Sequence, residues 1–192
     1  MFLLRDIPDD KCFDQLTTRY PDLDRTSVVA IMAFLRTAVD LIEAFDKFLA
    51  QHGLSQGRFA ILVFLNREPE VAVNQTHLAD AYGVTKATIT GLIDGLERDQ
   101  LVQRLHDPLD RRASLVLLTK TGREFLDALL PHHFKRTAEV FAGFTAADRQ
   151  SLAGMMAKIR AGMEHVGALE KAGKLCCSPN VLCRRPVPPP AP

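Results

Sequence analysis

The chain has 192 residues, 47% hydrophobic and 24% charged, with 24 Lys and Arg against 23 Asp and Glu for a formal net charge of +1. That is ample for one core with tails and too apolar for a disordered chain. The near-neutral balance excludes a protein that coats nucleic acid by charge alone, and no run approaches the ~18 apolar residues of a membrane helix.

The first 24 residues are acidic, and MFLLRDIPDD turns acidic after too short an apolar run for a signal peptide, so a cytoplasmic protein is expected. Cys12 stands alone there, ahead of the first predicted helix. That helix runs roughly from Arg25 to Gln51 and is closed by Gly53. It carries two apolar seams stepping by three and four. One is Ile31, Phe34, Ala38, Leu41, Phe45 and Phe48; the other is Val28, Met32, Leu35, Val39, Ile42 and Leu49. One seam suffices for a helix lying on its own core, so the second needs cover from a partner subunit or from the rest of a monomer. A shorter helix follows, capped by Ser55, with Phe59, Leu62, Val63 and Leu65 apolar.

Residues 76–102, THLADAYGVTKATITGLIDGLERDQLV, have the grammar of a helix-turn-helix. Ala79 is small enough for a close helix crossing, Gly83 supplies the φ > 0 that ends the first helix, and Ile89 plugs the angle between the two. Thr85 caps the second helix, leaving its positive N-terminal end facing outward. Val84, Ile89, Leu92, Ile93 and Leu96 form the inner stripe. Thr85, Lys86, Thr88 and Thr90 form the outer face, with Ala87 in the first turn. Short threonines let a helix backbone approach base edges and offer a methyl to thymine, although threonine also occurs on plain solvated helices.

The next segment, LVQRLHDPLDRRASLVLLT, changes period. From Ala113 the residues alternate, so a strand returns from a Pro-containing turn and makes a β-hairpin wing. Arg111 and Arg112 at its tip suit a minor groove, and Arg104 adds a cation on the first strand. Asp107 and Asp110 structure the wing by pairing with the arginines or holding the turn. The alternative reading of the same tip is a solvated turn with a surface ion-pair cluster, which a preceding helix-turn-helix disfavours. Residues 85–123 carry seven cations against five carboxylates, so the positive field is local.

Thr119 caps a second long helix through about Phe141, interrupted by Pro131, and Thr145 with Asp148 begins a third. Leu152, Met155, Met156, Ile159, Met163 and Val166 form the apolar face of the third. The tail holds Cys176, Cys177 and Cys183 and ends RRPVPPPAP, with no zinc-ligand spacing.

The segment LADAYGVTKATITGLIDGLERDQLVQRLHDPLDRRASLVLLTKTGREFL closely resembles the winged helix-turn-helix of MarR-type bacterial transcription regulators, and the flanking helices fit that family over about residues 25–165. The resemblance implies a mainly α fold with a small β-hairpin wing, its winged head carried on a helical dimerisation platform. Residues 1–24 become an extension, 25–51 and 119–165 the dimerisation helices, 55–118 the DNA-binding region and 166–192 a tail. It implies a homodimer that binds double-stranded DNA at a pseudo-palindromic operator, with half-sites roughly 34 Å apart. Such proteins mostly repress, and many are released by a small phenolic or aromatic acid. Implied DNA contacts are Thr85, Lys86, Ala87, Thr88, Thr90, Gly91, Arg104, Arg111 and Arg112. Phe34, Arg58 and Phe59 are implied at the effector pocket, where Arg58 reads equally as a surface or phosphate-contacting cation. No metal or cofactor is implied.

Two positions depart from the family pattern. Gln100 stands where Gly is common, so the helix end is expected either strained or reshaped. Gly91 replaces a side chain that reads bases in some relatives, and Gly91 and Gly95 each weaken their helix by roughly 1 kcal/mol relative to alanine, a cost expected where DNA or a neighbouring helix approaches closely. Three other readings remain open: thiol sensing through Cys12, a winged-helix protein adaptor, and an enzyme, for which no nucleophile–base pair or phosphate-cradling loop is present.

Overall fold

A computed structural model of the chain describes residues 8–106 and 114–174. It divides into two compact units, one ending at Leu130 and the other beginning at Pro131. The first unit opens with helix α1, Asp10–Arg19, in the segment read from sequence only as an acidic extension. Asp9 caps it by accepting from the Cys12 N–H at 2.9 Å, so Cys12 lies in the first turn of a helix and not ahead of the first one. Phe13 is buried beneath the Arg25 guanidinium, which stands 5.1 Å from its ring centre and pairs with Asp10 and Asp14. A short amphipathic helix is therefore pinned to the start of the next one.

Helix α2, Arg25–Ala50, follows the expected bounds closely. Asp24 caps it, accepting from the N–H groups of Thr26 and Ser27 and from both hydroxyls. At its far end Gly53, at φ 70, lets Leu54 donate to Leu49 O at 3.0 Å and closes the helix. Of its two seams only the lower end is buried, at Phe48 and Leu49, while Ile31, Leu41 and Ile42 stay exposed.

Three helices build the head: α3, Gln56–Leu65; α4, Gln75–Tyr82; and α5, Lys86–Arg98. Strands β2, Val102–His106, and β3, Ser114–Leu118, pair antiparallel with Val102 opposite Leu118 and His106 opposite Ser114. A third strand, β1, Val73–Asn74, sets Val73 against Val116 and completes the sheet in the order β1-β3-β2. Two residues are too few to show a period, which is why this strand was not legible in the sequence. The inner residues Leu62, Leu78, Ile93, Leu96, Val116 and Leu126 are fully buried in one cluster. Each such aliphatic side chain contributes up to roughly 1.5–3 kcal/mol.

Helix α6, Lys120–Val140, starts on the Thr119 cap, whose hydroxyl accepts from Gly122 N at 2.9 Å, and contains Pro131. In the second unit α7, Ala146–Lys171, opens on a reciprocal capping box between Thr145 and Asp148. It continues to Lys171, past the position where the tail was expected to begin. None of its residues is buried, and Met163 is 67% exposed and Phe134 of α6 61%. Among the described residues no helix is long and apolar enough to cross a membrane.

Candidate nucleic-acid interface

The seat of α5 is built from the three positions that the motif singles out. Gly83 adopts φ 63, so Val84 donates back to Ala79 O at 3.1 Å and the chain leaves α4 sharply. Ala79 and Ile89 are buried at the crossing. Ile89, Ile93 and Leu96 face inward, whereas every residue from Gly83 to Thr88, with Thr90 and Gly91, is exposed. Val84, expected on the inner stripe, is exposed because it belongs to the turn, where the helical period does not apply.

The hydroxyls on this face are ordered. Thr85 Oγ1 accepts from Thr88 N at 3.1 Å and lies 2.8 Å from the Thr88 hydroxyl. Thr90 donates to Lys86 O at 2.9 Å and to Gln75 Oε1 at 3.4 Å, and Gln75 donates on to Ser114 Oγ at 2.9 Å. Gln75, which has no signature in the sequence, thus ties the outer helix face to the wing strand. The first carboxylate along α5 is Asp94, so its first two turns offer hydroxyls, methyls, one ammonium and a positive helix end.

Arg104, read from sequence as a DNA contact, is committed within the protein. Its guanidinium pairs with both Asp94 and Glu97 of α5, and Glu97 also accepts from the Arg104 backbone N–H at 3.1 Å. Burial works against its charge, but the bonds it donates to Asp94 and Glu97 outweigh that and push its pKa up. The result is a clamp between α5 and β2. The wing tip with Asp107, Asp110, Arg111 and Arg112 lies outside the described residues.

Of the pocket candidates, Phe59 lines an open cavity of about 440 Å³ together with Phe45, Gln56, Gly57, Ala60, Val63 and Tyr82. Phe45 and Phe59 meet edge to face at 5.5 Å, and the Tyr82 hydroxyl donates to Ala60 O at 2.7 Å. Burial raises the Tyr82 pKa against a smaller opposing pull from Arg67, so the phenol remains a donor. Phe34 and Arg58 are not among the lining residues. Arg58 turns instead to Asp99, 3.0 Å away, and lies against Gly95. That contact accounts for Gly95, whereas Gly91 faces open space. Tyr82 was missed because a tyrosine before a helix-ending glycine has no pattern that separates a cavity wall from a surface residue.

Gln100 keeps the left-handed conformation, at φ 59, so the helix end is not reshaped. Gln100 and Leu101 donate back to Glu97 O and Leu96 O at 2.9 Å each, the bonding that Gly83 makes after α4.

The model of the MarR family matches residues 54–114. The HTH-type transcriptional repressor YetL of Bacillus subtilis is 31% identical over 153 residues, covering 80% of this chain and 92% of YetL. The chain belongs to the MarR family. A MarR protein is a DNA-binding transcription regulator and not an enzyme. The MarR regulator Sco3205 of Streptomyces coelicolor, solved in complex with DNA, shares the fold at TM-score 0.67 and 24% identity, covering 73% of this chain and 93% of its own. BpsR of Bordetella bronchiseptica, whose DNA binding is regulated by 6-hydroxynicotinic acid, matches at TM-score 0.57 and 26% identity, over 68% of this chain and 98% of its own. In this MarR chain α4 and α5 are the helix-turn-helix, and β2 and β3 are the strands of the wing.

Proposed function

We propose that the chain is a homodimeric repressor that reads a pseudo-palindromic operator and is released by a small aromatic or phenolic acid. The observation that carries the reading is the outer face of α5: Thr85, Lys86, Ala87, Thr88, Thr90 and Gly91 are all exposed, on a helix end free of carboxylates. Backbone amides, hydroxyls and one ammonium suit a major groove, and Gly91 admits the closest approach. Arg111 and Arg112 supply the wing's minor-groove contacts. Arg104 contributes indirectly, by holding the wing to α5.

Residues 55–118 serve as the DNA-binding region, and 25–51 with 119–165 as the dimerisation helices. Support comes from exposed apolar residues on both stretches, among them Ile31, Leu41 and Ile42 on α2 and Met155 and Met163 on α7. A second copy of the chain is the occupant that covers them. The effector occupies the cavity lined by Phe45, Phe59, Val63 and Tyr82, whose aromatic walls fit a planar ring. YetL and BpsR point the same way, as a repressor and as a regulator controlled by an aromatic acid. The protein acts in the cytoplasm, where its DNA lies.

The test is a selection of duplexes from fragmented genomic DNA by the purified full chain, with mass measured by light scattering. A dimer that enriches a near-palindromic duplex, binds it more weakly as salt rises and loses it when Arg111 and Arg112 become Ala is expected. Adding 6-hydroxynicotinic acid and related aromatic acids should release the DNA for at least one of them. A monomer, or equal binding to all duplexes, would refute the reading.

A further inference from the structure

The first turn of α3 grips the recognition helix through two reciprocal hollows. At Gly57 an added Cβ would stand 2.8 Å from Leu92 Cδ1, so Leu92 of α5 fills the space where α3 lacks a side chain. At Gly95 the relation is reversed. A Cβ there would collide with Arg58 Nη2 and lie 2.5 Å from Cζ and 2.7 Å from Nε, so the Arg58 guanidinium fills the hollow on α5. Leu92 and Gly95 are three residues apart and share one helix face. Beyond the hollow the guanidinium reaches Asp99, the residue that closes α5, at 3.0 Å, and donates to Gly53 O at 3.4 Å in the turn after α2. Only 18% of the Arg58 side chain is exposed.

Interior glycine weakens a helix relative to alanine, and at Gly95 the space gained is occupied by this side chain. A guanidinium suits it, being flat enough to lie on a helix backbone while its edge still donates to a carboxylate. One cation on α3 therefore makes three contacts, two with α5 and one with the turn after α2, and together they fix where the C-terminal half of α5 can sit. Gly57 and Phe59, its neighbours in sequence, line the cavity, so the same turn of α3 serves both the cavity and the seat of α5.

We propose that Arg58 is a positioning residue for DNA recognition: lodged between Gly95 and Asp99, it sets the seat of α5 on α3 without touching DNA or effector. The claim rests on α5 being the reader helix. It differs from the two other uses of such a cation, neutralising a phosphate and binding an effector carboxylate, in what its removal does.

The experiment compares wild type with Arg58→Ala, Arg58→Lys, Gly95→Ala, Asp99→Asn and the double variant Arg58→Ala/Gly95→Ala. Affinity is measured across salt concentrations for a duplex that wild type enriches from a random pool. Hydrogen exchange at residues 96–102 and thermal melting are measured without DNA. Arg58→Ala should weaken binding about tenfold or more at every salt concentration with the salt slope unchanged, because no phosphate contact is lost. Exchange at the end of α5 should quicken. Arg58→Lys should restore neither, since a single ammonium cannot both cover Gly95 and hold Asp99. Gly95→Ala should resemble Arg58→Ala alone yet add no further loss to it, the non-additivity expected of groups in contact. Where Arg58→Ala melts too low to assay, Asp99→Asn reads the far end of the same contact. A salt slope shallower by about one in Arg58→Ala marks a phosphate contact and overturns the proposal. So do additive effects of Arg58→Ala and Gly95→Ala, or unchanged exchange. If wild type enriches no duplex, the assignment of α5 as reader falls, while exchange and the double-variant comparison still decide whether Arg58 seats that helix.

Discussion

Replacing Gln100 by glycine should stabilise the protein although it removes a side chain. Among the described residues Gln100 is the one non-glycine with positive φ, at 59, while the equivalent helix ends use Gly53 at 70, Gly83 at 63 and Gly173 at 66. An L-residue held there costs about 1–2 kcal/mol. Glycine relieves that but enlarges the freedom of the unfolded chain, which returns about 0.4–1 kcal/mol. The net gain is about 0.5–1 kcal/mol. Little else changes, because Gln100 is exposed and the bonds that close α5 are made by backbone atoms, including the Gln100 carbonyl that accepts from Thr119 Oγ1 at 2.8 Å. For a chain of this length that gain is a rise in Tm of about 1–4 °C. Calorimetry at one fixed protein concentration reads it, with Gln100→Ala as control because alanine retains the strain. A Tm for Gln100→Gly at or below wild type would show that φ at this position stores no strain. An equal rise in Gln100→Ala would place the effect in the side chain rather than in φ.

Arg104→Met should lower stability by about 1–2 kcal/mol in urea unfolding, a figure reduced for partial exposure of the clamp to Asp94 and Glu97. It should weaken DNA binding without changing the salt slope, and a slope shallower by about one would return Arg104 to the phosphates. Ile42 is 51% exposed on α2. Ile42→Asp should shift the dimer to monomer in sedimentation measurements, and a dimer unchanged at micromolar concentration would move the interface elsewhere. Hydrogen bonds from Ser27 and Thr26 hold the Asp24 carboxyl down from its usual 3.8 to about 2. Its contribution to stability is therefore complete above about pH 4 and is lost as pH falls through about 2. The Tm difference between wild type and Asp24→Asn should be constant at neutral pH and shrink over that acid window; a difference as large at pH 2 as at neutral pH would contradict the capping role.

Local chemistry carried much of the head into the sequence. Gly83 and Thr85 announce a turn and a cap because few other residues satisfy that backbone, and Ser55, Thr119 and Thr145 do the same for their helices. The period of Ile89, Ile93 and Leu96 names the inner face of α5. Polar side chains were less legible. Arginines at 58 and 104 look alike along the chain, as surface cations available to DNA or ligand. Each is spent on carboxylates that only folding brings near, Asp99 at a separation of 41 residues and Asp94 and Glu97 across a strand boundary. The cavity was half legible, since Phe59 carried an apolar signal but Tyr82 and Phe45 arrive from other helices.

The bounds of α2, the caps, the turn after Tyr82 and the hydroxyl-lined outer face follow from residues within one or two turns of each other, and for these the chain alone was enough. Packing in three dimensions set what Gly95 makes room for, that Arg58 and Arg104 pair with carboxylates, that Gln100 takes a left-handed backbone, and that a two-residue strand joins the wing. Those outcomes depend on atoms far apart in the chain, and no periodicity records a contact made only when separate elements pack.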